Sequence, residues 1–204
     1  MLRILLPLAA LVILLGYPLY IYFFSDRELS TRQIVHQKRL ATIPYQRFGK
    51  GSLSDFAEYL RRPSAVEIKS VRELCEWLMG CQYVHDQTQF ENPDIWQHPV
   101  DFEVSRQGDC EDHALWAWRK LCDLGFEAEF VVGRLALPKG VWVDHSWIVL
   151  TDEQGEHLLE TTAKRMDQFM VPLPVARQRY RPYLGIDTHL RTFAYPKPRI
   201  ISGG

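Results

Sequence analysis

Apolar and polar positions follow three different rhythms along this chain. The first is an unbroken apolar run. From Ile4 to Phe24 the stretch ILLPLAALVILLGYPLYIYFF holds 21 residues without a charge, which as a helix rising about 1.5 Å per residue would be about 31 Å long, enough to cross a bilayer. Pro7, Gly16 and Pro18 are tolerated in membrane helices, and Tyr17, Tyr20 and Tyr22 suit an interfacial belt. A cleaved signal peptide is the competing reading, because Arg3 makes a small positive n-region. The run is longer than an h-region of about 7 to 15 residues, however, and no small-x-small cleavage site follows it, so a transmembrane anchor over residues 1–25 is expected. Its orientation stays open. Arg27, Arg32, Lys38 and Arg39 on the far flank would keep the following domain in the cytoplasm, whereas a short positive tail held inside would export it.

The second rhythm is helical. Residues 25–50 are mixed polar without sustained periodicity, and SLSDFAEYLRRP then suggests a short helix ended by Pro63, so residues 26–63 read as a juxtamembrane stalk and short helix. In SVRELCEWLMG, Ser70 and Glu73 form a capping box, Val71, Leu74, Cys75 and Leu78 recur at helical spacing, and Gly80 can close the C-terminus. A loop rich in Pro, Asn and Trp, FENPDIWQHPVDF, leads into QGDCEDHALWAWRKL, where Ala114, Ala117, Leu121 and Leu124 share one stripe headed by Cys110. Asp109 is the natural N-cap there, with Gly125 at the C′ position.

The third rhythm is that of strands. FEAEFVVGRLAL and DHSWIVLTDEQGEHLLETT read as strands, the second split by a turn at Asp152 to Gly155. From about residue 164 the prolines at 172, 174, 182, 196 and 198 argue against regular elements, so residues 164–204 are expected to form a proline-containing extension. Neither an internal repeat nor a low-complexity tract is present.

Composition changes this picture little. The chain has 204 residues, 47% hydrophobic and 24% charged, with a formal net charge of −1, which describes an ordinary globular domain and gives no basic excess for nucleic acid. The four cysteines lie at 75, 81, 110 and 122; no pair has CxxC spacing, and no zinc site is evident. Cys75 and Cys122 fall on apolar stripes, where buried reduced thiols are expected.

Cys110 raises the chemical question, because it sits among Asp109, Glu111 and Asp112. Carboxylates in a first helical turn complement the helix dipole, and that dipole stabilises a thiolate, but the same carboxylates oppose one. A histidine is the natural further help. If Asp152 to Gly155 is a hairpin turn, residues 151 and 156 pair, and residue 145 faces 162 with Glu160 as its diagonal neighbour. By the same parity His157 points to the other face. A carboxylate on one nitrogen of His145 would fix its tautomer and leave the other to take the thiol proton. Cys110, His145 and Glu160 are therefore a candidate triad. Each of these residues taken singly is more often structural; the conjunction carries the inference.

The stretch GDCEDHALWAWRKLCDLGFEAEFVVG, followed by DHSWIVL and LLETT, resembles the core of the transglutaminase-like superfamily, and in particular is similar to bacterial transglutaminase-like cysteine proteinases. The upstream IWQHPVDFEVSRQGDCED strengthens the likeness, which covers about residues 70 to 163. It implies an α+β papain-like core over residues 64–163, with Cys110 as nucleophile, His145 as base and Glu160 where the family usually has aspartate. It also implies an oxyanion hole using the Cys110 backbone N–H, and a calcium site at Asp109, Glu111 and Asp112, residues that dipole complementation explains equally without an ion.

The expectation is thus a single-pass protein of the bacterial inner membrane whose domain hydrolyses an amide bond in a protein or peptide substrate. No cofactor is required by that chemistry, and calcium is the one candidate. Transamidation of protein glutamine and a non-catalytic peptide-binding module on the same fold are the alternatives. Trp116, Trp118 and Trp147 are expected in the core, and Trp96, in the loop before Cys110, is the candidate to line a substrate cleft.

Overall fold

The computed structural model describes residues 47–196. The expected anchor and most of the stalk lie outside them, and among the described residues no helix is long and apolar enough to cross a membrane. The helical part comprises α1 (Glu58–Arg61), α2 (Val71–Met79), α3 (Asp86–Gln89), α4 (Pro99–Ser105) and α5 (Cys110–Asp123). Two short strands, β1 (Gln82–Tyr83) and β2 (Gln107–Gly108), pair in parallel just before α5. Then come β3 (Glu127–Ala136), β4 (Trp142–Asp152), β5 (Gly155–Leu159), β6 (Met170–Pro172), a short helix α6 (Leu173–Ala176), β7 (Tyr180–Asp187) and β8 (Thr192–Ala194). The sheet runs β6-β5-β4-β3-β7-β8 and every neighbouring pair is antiparallel, the arrangement of an α+β fold.

Helix α5 lies at the centre of the described domain. Ala114, Leu115, Trp116, Ala117, Trp118 and Leu121 are all fully buried. They pack in one large cluster with Phe56, Tyr59, Leu74, Leu78 and Phe102 from the helical side and with Phe130, Ile148 and Leu150 from the sheet. A smaller cluster covers the other sheet face, built from Val131, Trp147, Val149, Leu158 and Ala176. The three tryptophans expected in the core are there.

Local signals worked where they concerned helix ends. Ser70 Oγ accepts from the Glu73 N–H at 3.2 Å, while the Glu73 carboxylate reaches the Lys69 N–H rather than that of Ser70. Gly125 adopts φ +77°, and bonds from Gly125 N to Cys122 O and from Phe126 N to Leu121 O close α5 as a Schellman motif. Asp109 holds the N-cap position of α5, but its side chain makes no capping bond.

Two proline-based expectations are corrected. The stretch before the Cys110 motif contains α4, because Pro99 occupies the first helical turn, where its missing N–H costs nothing, and His98 Nδ1 accepts from the Val100 N–H at 3.1 Å. The chain beyond residue 164 is not irregular either. Pro172 ends an edge strand, Pro174 lies in the first turn of α6, and Pro182 sits in β7 beside the bulge that shifts register between Val132 and Gly133. These are the positions that spare a proline the loss of a ladder hydrogen bond.

The same bulge needs Gly133. A Cβ there would fall on the Arg181 carbonyl oxygen and come within 2.6 Å of the Trp147 ring and 2.8 Å of Pro182 Cα. Gly133→Ala is therefore expected to destabilise the fold by about 2 to 3 kcal/mol through overpacking. Urea unfolding followed by tryptophan fluorescence measures it, and an unchanged midpoint would refute the close approach.

Candidate active site

Cys110 is the first residue of α5, immediately after β2. The β1–β2 pairing sets Tyr83 opposite Gly108, with the Val84 N–H donating to the Gly108 carbonyl at 3.0 Å, and so carries the Tyr83 phenol near the thiol. On the sheet side, the Ser146 N–H lies near enough to the Cys110 sulfur to favour its ionised form. The thiol itself donates to Glu111 Oε2 at 3.2 Å. Ser146 follows His145 in β4, so docking α5 on the sheet brings the thiol to the backbone step that carries the histidine.

The hairpin has the register read from sequence, with Thr151 opposite Glu156 and Asp152 opposite Gly155. His157 opposes Leu150, on the face away from His145. The ladder ends at Ile148 and Leu159, and just beyond it His145 Nε2 lies 2.9 Å from Glu160 Oε2. Glu160 is a focus of donors. Oε1 accepts from the Thr162 N–H at 3.0 Å and from Thr162 Oγ1 at 2.6 Å, and Oε2 accepts from the Tyr180 hydroxyl at 2.7 Å as well as from His145. Burial by itself would favour the neutral acid, but the His145 hydrogen bond and charge, with Thr162 and Tyr180, outweigh it and hold Glu160 at about 2. Glu160 is thus an anion at any physiological pH, and with Nε2 bound to it the imidazole has Nδ1 left for other work.

The thiol is not ionised by its surroundings. Burial pushes Cys110 well above the ordinary thiol range, the charges of Glu111 and Asp109 push it further, and the Ser146 N–H opposes them. The nearby His113 supplies no charge, since burial takes it down to about 4 despite its bond to the Asp109 carbonyl. The acids repel one another as well. Burial, a bond shared with Asp109 and the charges of Asp109 and Asp112 raise Glu111 to about 10; burial raises Asp112 to about 8 and Asp86 to about 6.

The three flanking carboxylates therefore do not act as one set. Asp112 pins the preceding loop, accepting from the Gln97 N–H at 2.7 Å and from Gln97 Nε2 at 2.5 Å. Asp109 and Asp112 converge with Asp86, and Glu111 with Asp86 and Asp94, each trio placing carboxylate oxygens within 4.8 Å of one another. Buried Asp86 Oδ1 and Asp109 Oδ1 have no hydrogen-bond partner. Unpaired anionic oxygens facing each other in a buried cluster suit a hard divalent cation better than they suit a protein without one.

Trp96 departs from expectation. It is 8% exposed and lies among Phe56 and Phe130, with Nε1 donating to Asp94 Oδ1 at 2.8 Å, so it is core and not cleft wall. Sequence reasoning missed Tyr83, Asp86, Asp94 and Tyr180. Thr162 carried the one usable signal, since a hydroxyl two residues after an acid commonly closes a local turn. All four cysteines are free, and burial raises Cys75 and Cys122 to about 12.

No protein-family model matches the chain, and no curated protein matches it. Among solved structures it is similar to Legionella pneumophila LapG. One LapG structure aligns at 18% identity with a TM-score of 0.45, over 64% of this chain and 69% of that one. The calcium-bound form aligns at 17% identity and TM-score 0.48 over 71% and 78%, and the EGTA-treated form at 18% and 0.49 over 71% and 73%. Similarity at this level concerns the path of the chain and leaves its chemistry to the residues themselves.

Proposed function

We propose that this chain is a thiol enzyme that hydrolyses an amide bond in a protein or peptide through an acyl intermediate on Cys110. The observation that carries the reading is the His145 Nε2 to Glu160 Oε2 contact of 2.9 Å, made to a carboxylate held ionised, while the neighbouring Ser146 N–H favours the ionised form of Cys110. In this reading His145 Nδ1 takes the thiol proton as the sulfur attacks the substrate carbonyl carbon. The proton then passes to the leaving nitrogen as the C–N bond breaks, and water resolves the thioester by the same route in reverse. The backbone N–H of Cys110, an unpaired donor at a helix N-terminus, is assigned to the developing oxyanion. The Gly-Asp-Cys-Glu-Asp motif and its likeness to bacterial transglutaminase-like cysteine proteinases favour hydrolysis over transamidation. The apolar run from Ile4 to Phe24 supports the further proposal that the domain works beside a membrane.

Calcium belongs to the same proposal. Asp86, Asp109 and Asp112, with Asp94 and Glu111 adjoining, would hold the ion, and carbonyls or water would complete a shell of about six to eight oxygens. When bound, it would offset the carboxylate charge that now keeps the Cys110 proton in place.

Two measurements test these readings on the full chain. With calcium present, alkylation of Cys110 by iodoacetamide, mapped by mass spectrometry, is expected to be at least about 100-fold slower in His145→Ala, the scale of a lost general base. A Cys110 no more reactive than Cys75 or Cys122, and indifferent to His145→Ala, would leave a peptide-binding module as the better reading. Calcium at roughly 100 times its Kd is expected to raise Tm by about 5 to 10 °C. Asp109→Asn should remove that shift while leaving the metal-free protein as stable or more so, because it relieves repulsion. A wild-type Tm that ignores calcium would remove the ion from the proposal.

A further inference from the structure

Tyr180 belongs to neither the sequence motif nor the segment that resembles a known family. It opens β7, opposite Leu135, on the far side of the bulge at Gly133. Its ring stands edge-on to Trp147 at 5.3 Å between centroids and lies 6.2 Å from the His145 ring. Its hydroxyl donates at 2.7 Å to Glu160 Oε2, the same oxygen that lies 2.9 Å from His145 Nε2.

That shared oxygen matters because the acid is a glutamate. It has one more rotatable bond than aspartate, and each free rotor must be immobilised if the carboxylate is to hold an imidazole in one orientation. Thr162 fixes Oε1 through its N–H and Oγ1. Nothing in the local turn fixes Oε2, and that part falls to a residue 20 positions away in sequence. The phenol is a dependable donor there, since burial, and then the charge of Glu160, raise its pKa.

We propose that Tyr180 is a positioning residue, which clamps Glu160 Oε2 against His145 so that the imidazole stays in the Nε2–H tautomer with Nδ1 free for Cys110. The proposal rests on the thiol chemistry above and deepens it, because the segment beyond residue 164 then supplies part of the site.

The test uses the full chain carrying Tyr180→Phe, which keeps the ring against Trp147 and removes only the hydroxyl. Nitrogen-15 NMR of the His145 ring reads the tautomer directly. A single Nε2–H form is expected in the wild type and a mixture of tautomers in Tyr180→Phe. Cys110 alkylation is expected to slow about tenfold, the scale of one hydrogen bond to a charged group. In a Glu160→Gln background the same substitution should change the rate by less than about twofold, because the tyrosine acts through the carboxylate. A purely structural tyrosine would instead lower Tm, leave the His145 signals alone and slow both backgrounds equally. Unaltered His145 nitrogen signals with an unaltered rate would overturn the positioning role. A wild-type Cys110 without enhanced reactivity would overturn the enzymatic reading, and the nitrogen spectrum would still decide the tyrosine. Should Tyr180→Phe fold poorly, ring-fluorinated tyrosine at position 180 changes donor strength at nearly constant shape and gives the same readout.

Discussion

A helix buried on every side must satisfy its polar residues inside the protein, and α5 imposes that condition on the rest of the chain. Arg119 and Lys120 are only 5% and 2% exposed. Arg119 donates to the Tyr59 carbonyl, and Lys120 pairs with Glu103 Oε1 at 2.9 Å while also bonding Ser64 and the Val66 carbonyl. The Trp116 indole donates to the same Glu103 oxygen at 3.0 Å. Such buried charge adds little net stability, but removing one partner strands the other, so each tie fixes where a neighbouring segment must run. The segments before α5 are held to it by these polar ties as much as by the apolar cluster.

The same burial creates the tension at the helix head. Three carboxylates beside a helix N-terminus would be stabilising on a surface. Here they adjoin Asp86 and Asp94, and desolvation with mutual repulsion favours the protonated forms of Glu111 and Asp112. The thiol, bonded to Glu111 and flanked by Asp109, shares that fate. In the proposed mechanism, proton transfer to His145 would depend on how much negative charge the cluster carries, which would couple the state of the acids to that of the thiol. The sheet side has the opposite character. Glu160 is buried too, yet four donors converge on it and keep it ionised. Glu160 has donors on both oxygens whereas Asp86 and Asp109 each leave one oxygen unpaired, and that asymmetry underlies the two different roles proposed for them.

Patterns acting over a few residues were legible before the fold was known. The Ser70 cap, the Gly125 closure, the hairpin register and the diagonal relation of His145 to Glu160 each follow from spacing within one element or one turn. Proline misled in two places, because the pattern marks it as a breaker without saying whether it occupies a first helical turn, an edge or a bulge. Trp96 misled for a related reason: its place in a loop says nothing of the aromatic cluster that Phe56 and Phe130 build around it.

The sequence alone determined the elements that carry Cys110 and His145 and the hairpin that ends beside Glu160, because helical and strand periodicity are local consequences of backbone geometry. Only the tertiary structure decided what surrounds them. Tyr180 reaches Glu160 by joining β7 to β3, Tyr83 comes near the thiol through a two-residue parallel pairing, and Asp86 and Asp94 converge on the acids of the helix head. Those contacts join residues far apart in the chain. Burial, which raises Glu111, Asp112 and Asp86, is a property of the packed whole and of no residue alone.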